Sequence, residues 1–163
     1  MALIILILFL FSCNNSESNQ HIPSSDSTLN TGFYFIKDSG SFLQRQLIRT
    51  NNIYHIDPTP IVTVKNFRKV ERFHEKDCYA LFIWLDEKGS QLLDLAKQNY
   101  QGKKFAIIVD NQLVRTQLVD DPQFATVHKK DDPRIYGQVL VFPCNSFLPA
   151  ELKMFETLIN NEK

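Results

Sequence analysis

The chain has 163 residues, with Lys+Arg and Asp+Glu at 18 each, so its formal net charge is zero. That balance excludes the strongly basic footprint of a nucleic-acid partner and gives no long-range steering toward an acidic lipid surface. Phe is abundant at 13 residues, enough aromatic volume to fill a core of modest size.

The first element is a leader. Ala2 to Phe11 is apolar throughout and stops at Ser12-Cys13, after which Asn14-Asn15-Ser16-Glu17-Ser18-Asn19-Gln20 is polar. A stable spanning helix needs roughly 20 apolar residues, so this run is too short, yet it suits the apolar core of a secretory signal. Leu10-Phe11-Ser12-Cys13 resembles a bacterial lipobox, with a small residue before the cysteine that becomes the lipidated N-terminus. The expectation is a signal over 1–12 and a palmitate-type anchor on Cys13, where more than one acyl chain is needed for stable attachment. One feature departs from the pattern: only the α-amino group of Met1 is positive ahead of the apolar core. Residues 13–30 are rich in Ser, Asn and Asp and read as a flexible tether. Within it, Asp26-Ser27-Thr28 resembles a short bacterial O-glycosylation signal.

Ordered structure is expected from Thr31-Gly32-Phe33-Tyr34-Phe35-Ile36, a short apolar strand. Leu47-Ile48-Arg49 and Ile53-Tyr54-His55-Ile56 read as further short strands around an Asn51-Asn52 turn. Asp57-Pro58-Thr59-Pro60 reads as a break, because each proline restricts the residue before it. Ile61-Val62-Thr63-Val64 restarts an extended segment, and residues 66–70 read as one helical turn. Residues 31–75 therefore form either an N-terminal strand-rich subdomain or one layer of a single fold.

The second half, 76–163, has clearer periodicity. Tyr79 to Leu85 is apolar, aromatic and branched, as a central strand requires. Asp86 is placed to cap a helix whose apolar stripe is Leu92, Leu93, Leu95, Ala96 and Tyr100, with Gly102 closing it. Phe105 to Val109 is a near-continuous apolar strand, Asp110-Asn111 a tight turn, and Leu113 to Val119 the returning strand. A polar loop with two Asp-Asp-Pro sequences runs from Asp120 to Pro133. Tyr136 to Phe142 is another strand, and Leu152, Phe155, Leu158 and Ile159 mark a last helix started near Pro149. The order β-α-β-β-β-α, after the short N-terminal strands, defines an α+β fold: a mixed or antiparallel sheet with two helices on one face.

These pieces, in this order, resemble the head subdomain of the first periplasmic region of SecD, an accessory subunit of the bacterial protein translocase. The matching residues are Leu81 to Leu85 with Asp86 and Gly89, Gly102-Lys103, Ala106 to Asp110, Leu113 to Thr116, Ile135-Tyr136-Gly137 and the helix from Pro149 to Ile159. Together they span 78–162. Two positions depart from the pattern: Ala96 stands where the family usually has threonine, and Gln117 where a proline commonly closes the hairpin. SecD itself couples a proton gradient to translocation through membrane helices, and no second apolar stretch of spanning length occurs here. The resemblance thus implies a head-like domain on a lipid anchor that binds a polypeptide or partner protein and catalyses nothing.

No catalytic, metal or cofactor motif emerges from the residues themselves. His21, His55, His74 and His128 are scattered, and neither an H-E-x-x-H nor a paired-cysteine metal motif exists. His74-Glu75-Lys76-Asp77-Cys78 reads as a solvated turn, since neighbouring side chains there point in alternating directions. The Asp-Asp-Pro pairs lack the glycine and alternating acids of a calcium loop, and Lys129-Lys130 already supply opposite charge. Gly102-Lys103-Lys104 is a turn after a helix and not a phosphate loop. Cys78 and Cys144 remain as an even pair in a compartment that permits disulfides; a bond and two separately buried thiols are both open, the latter being the default. The candidate partner-binding residues are Phe124, Asp121 and Asp132 in the long loop, Gln117 beside it, and the open edge of the sheet. The functional expectation is a lipid-anchored, non-enzymatic envelope protein that binds protein or polypeptide. The alternative is an assembly subunit with one fixed folded partner.

Overall fold

The computed structural model describes residues 27–39, 42–129, 131–132 and 134–163. The leader, Cys13, His21, Asp26 and most of the tether lie outside them. Eight strands and two helices follow: β1 Gly32–Lys37, β2 Leu43–Gln46, β3 Ile53–Thr63, β4 Phe67–Glu75, β5 Cys78–Leu85, α1 Glu87–Asn99, β6 Lys104–Val109, β7 Gln112–Leu118, β8 Gln138–Phe142 and α2 Pro149–Glu162. The fold is α+β with antiparallel sheets, as expected. Its strands are divided between two sheets, ordered β2-β3-β1-β6-β7 and β4-β5-β8.

β1 lies between β3 and β6, and β4 pairs with β5, so both sheets combine strands from 31–75 and 76–163. Alternation explains the packing. Phe33, Phe105, Ile107 and Val109 face one core, which they share with Leu81, Ile83 and Leu85 of β5 and with Leu93, Leu152, Phe155 and Ile159 of the helices. Tyr34, Ala106, Ile108 and Ile56 point the other way into a second, smaller core inside the curl of the five-stranded sheet. A strand buried on both faces reads as a continuous apolar run, which is what β6 shows. The curl brings the two edges of that sheet together at one parallel bridge, Leu47 to Leu113.

Local chemistry sets most boundaries. The Asp86 carboxylate accepts the Gly89 N–H at 2.6 Å and caps α1. Asp110 and Asn111 take positive φ values of 47° and 61°, the two left-handed residues of a tight hairpin turn. Gly137, at φ 75°, passes so close to β5 that an added Cβ would lie 2.3 Å from the Leu85 carbonyl oxygen.

Four local expectations change. β3 runs straight through Pro58 and Pro60, which lie beyond the stretch 53–56 that pairs with β2, and Pro60 sits opposite Tyr34 of β1 beside register shifts. The strand expected at 47–49 is a turn after β2, with Arg49 at φ 62°. The helical turn expected at 66–70 is a single 3-10 turn at Val64–Asn66, and Phe67 onward is drawn into β4 by pairing with β5. On α1 only Gly89, Ser90, Leu93 and Ala96 are buried, whereas Leu92 and Leu95 face solvent.

Candidate functional site

The long loop after β7 carries most of the candidates, and the structure turns its largest one inward. Phe124 is 1% exposed and cannot meet a partner at the surface. Its ring packs edge-on to Phe33 at 5.4 Å and tilted on Phe105 at 5.7 Å. Burying a phenylalanine contributes about 2–3 kcal/mol, more than the loop gains by displaying it. Lys97 donates to the Phe124 carbonyl and holds its ammonium 5.0 Å from the ring.

Gln117 is buried too, in a bracing network: Arg115 donates to Gln117, and Gln117 donates to Asp121. Arg115 also donates to the Val141 carbonyl at 2.9 Å, tying the two sheets together. Burial pulls the Lys97 ammonium and the Arg115 guanidinium below their ordinary values, against the attraction of nearby carboxylates such as Asp121. Asp132 instead accepts from Arg134 at 2.9 and 3.0 Å, and those bonds hold its carboxyl below the ordinary value. The four predicted residues are therefore not one surface. Among the described residues no group of three His, Cys, Asp or Glu is placed to hold a metal ion.

Cys78 and Cys144 are joined by a disulfide, with Cα atoms 4.8 Å apart. The separate-thiol default is thus overturned. Pairing of Asn145 N–H with the Tyr79 carbonyl at 3.1 Å brings the turn after β8 against the start of β5, which sets the two cysteines side by side.

The surface that sequence reading missed is the outer face of β4-β5-β8. Register places Lys69 opposite Trp84, Phe73 opposite Ala80, and Leu140 opposite Phe82. Ala80, Phe82 and Trp84 belong to neither core cluster, because they alternate with Leu81, Ile83 and Leu85, which face inward. Phe73 is 42% exposed and Phe82 and Leu140 are half-buried, whereas Ala80 and Trp84 are buried. The ring centroids of Phe73 and Phe82, and of Phe82 and Trp84, are each 6.0 Å apart. At the far end of this row Lys69 lies over the Trp84 ring at 4.8 Å, and the indole N–H donates to the Arg134 carbonyl at 2.7 Å. The signal was present in the sequence: Tyr79 to Leu85 is apolar at every position, not only at alternate ones.

This arrangement defines a two-sheet α+β domain whose smaller sheet carries an aromatic outer face, exposed at Phe73 and half-buried at Phe82. No family model matches the chain, and no curated protein matches it. Among solved structures it is similar to SecDF. A crystal structure of SecDF in a super-membrane-facing form aligns at 11% identity and TM-score 0.52, covering 78% of this chain and 18% of that one. A second, of SecDF as a membrane component that enhances protein export, aligns at 10% identity and TM-score 0.57, covering 83% of this chain and 63% of that one. The fold is SecDF-like, and the likeness takes in the N-terminal strands as well as 78–162. No helix among the described residues is long and apolar enough to cross a membrane.

Proposed function

We propose that this chain is a lipid-anchored, non-enzymatic protein of the cell envelope whose domain binds polypeptide segments in connection with protein export. The observation that carries the reading is the aromatic row Phe73–Phe82–Trp84, which reaches solvent at Phe73 and Phe82. The two solvent-reaching rings, Phe73 and Phe82, have centroids 6.0 Å apart, which approaches the roughly 6.8 Å spacing of alternate side chains along an extended chain, two residues at about 3.4 Å each. Aromatic side chains offer large contact area at low entropic cost, which suits partners of varied sequence. The disulfide fits an oxidising compartment, and the lipobox-like Leu10 to Cys13 fits attachment there.

Binding is tested by fluorescence anisotropy of a labelled, reduced and carboxymethylated protein titrated with the full chain. Phe73→Ser with Phe82→Ser should weaken binding at least about tenfold while the fold persists, since both side chains reach solvent. Undiminished binding by that variant would remove the reading. Anchoring is tested separately: incorporation of a palmitate analogue should vanish on Cys13→Ser.

A further inference from the structure

The four sheet edges are not alike. On β4, Glu156 of α2 accepts the Arg72 N–H at 3.4 Å and Lys163 donates to the Arg68 carbonyl at 3.0 Å. On β8, Val127 N–H donates to the Gln138 carbonyl at 3.1 Å and Arg115 to that of Val141. Such caps block edge-to-edge pairing. β2 and β7 meet at the parallel bridge of Leu47 and Leu113, where the Ile48 N–H donates to the Leu113 carbonyl at 3.0 Å, and Arg45 of β2 donates to the Asn111 carbonyl at the turn before β7.

Alternation shows what β7 leaves open. The Val119 N–H points toward β6, since it donates to the Lys103 carbonyl at 2.9 Å. The Lys104–Leu118 to Ile107–Arg115 register is regular, so Gln117 also points toward β6, and the Thr116 N–H and C=O point away from it. They open on a groove of about 400 Å³, walled by Leu47, Ile48, Arg49, Val114, Pro143 and Phe147. Arg49 lies 4.8 Å over the Phe147 ring and pairs with Glu151, which fixes one wall. The groove thus combines a backbone donor and acceptor that face away from β6 with apolar walls, the two things a strand-forming peptide requires.

We propose that this slot accepts an extended polypeptide with alternating apolar side chains, added as a strand along β7 and bonded to the Thr116 backbone. The proposal rests on the polypeptide-binding reading and adds a second contact, distinct from the aromatic row. The probe is an acetylated decapeptide of alternating valine and threonine, flanked by lysines and fluorescently labelled, titrated with the full chain. A matching peptide N-methylated along one edge cannot form the ladder. The expected result is at least about tenfold weaker binding of the methylated peptide, similar weakening by Thr116→Pro, and slowed hydrogen exchange at the Thr116 amide when the parent peptide binds. Equal binding of the two peptides, or an unchanged Thr116 amide, overturns strand addition, and neither depends on whether the proline variant folds. If the parent peptide fails to bind while carboxymethylated protein binds, only this inference falls. If neither binds, the polypeptide-binding reading falls with it.

Discussion

The two sheets of this domain are made from similar strands but serve different ends. The centre of the five-stranded sheet, β1 and β6, is buried on both faces, with Phe33, Phe105 and Ile107 on one side and Tyr34, Ala106 and Ile108 on the other. The three-stranded sheet is buried on one face, and its other face holds Phe73, Phe82 and Trp84 in a row. β6 and β5 are both continuous apolar runs, yet only β6 uses both of its faces for a core. An apolar strand therefore marks burial on one face or on both, and the neighbouring layers decide which.

The largest expected effect separates the sheets by stability. Phe105→Ala, at a fully buried position, should cost about 3–5 kcal/mol, whereas Phe82→Ala should cost about 1 kcal/mol or less, both read from denaturant midpoints. A comparable loss at both would show that the outer row is part of a core. Next comes the disulfide, which closes a loop of 66 residues and joins only strands of the smaller sheet. Replacing both cysteines by serine should cost about 2–4 kcal/mol. Amide exchange should rise first in β8 and at the start of β5, with β6 still protected. Uniform loosening would mean that the sheets unfold as one unit.

The smallest effect concerns Glu151 at the start of α2. The Leu148 backbone N–H, at 2.8 Å, and then Arg49 hold its carboxyl below the ordinary value. A depressed carboxylate contributes stability above its unfolded value and loses it as pH falls through the folded one. Glu151→Gln should therefore lower stability slightly at neutral pH, and the gap from the parent should close on acidification below the usual carboxylate range. A gap that persists at low pH would assign the effect to packing.

Much of this fold was legible because its signals are local. Asp86 caps α1, Asp110-Asn111 turns the hairpin, and Pro149 opens α2 where each was expected. What escaped depends on neighbours distant in sequence. Pro58 and Pro60 lie in β3 beyond the stretch 53–56 that pairs with β2 and beside register shifts against β1, and that register cannot be read from the prolines. Phe124 looked like a loop residue on display, but the gap it fills is made by Phe33 and Phe105, both far away in the chain. Leu92 and Leu95 sit at helical spacing with Leu93 and Ala96, yet the packed strip is too narrow to cover them. The candidate site was missed for the same reason: whether Phe73 and Phe82 are covered depends on which elements pack over β4 and β5, and no local pattern encodes that.

The most direct measurement is crosslinking in living cells, with a photoreactive residue at position 82 and a control at buried position 124, followed by mass spectrometry. Position 82 should capture many unrelated exported chains and position 124 essentially none. Capture of a single constant envelope protein at position 82 would contradict polypeptide binding and make this domain a fixed subunit of one assembly.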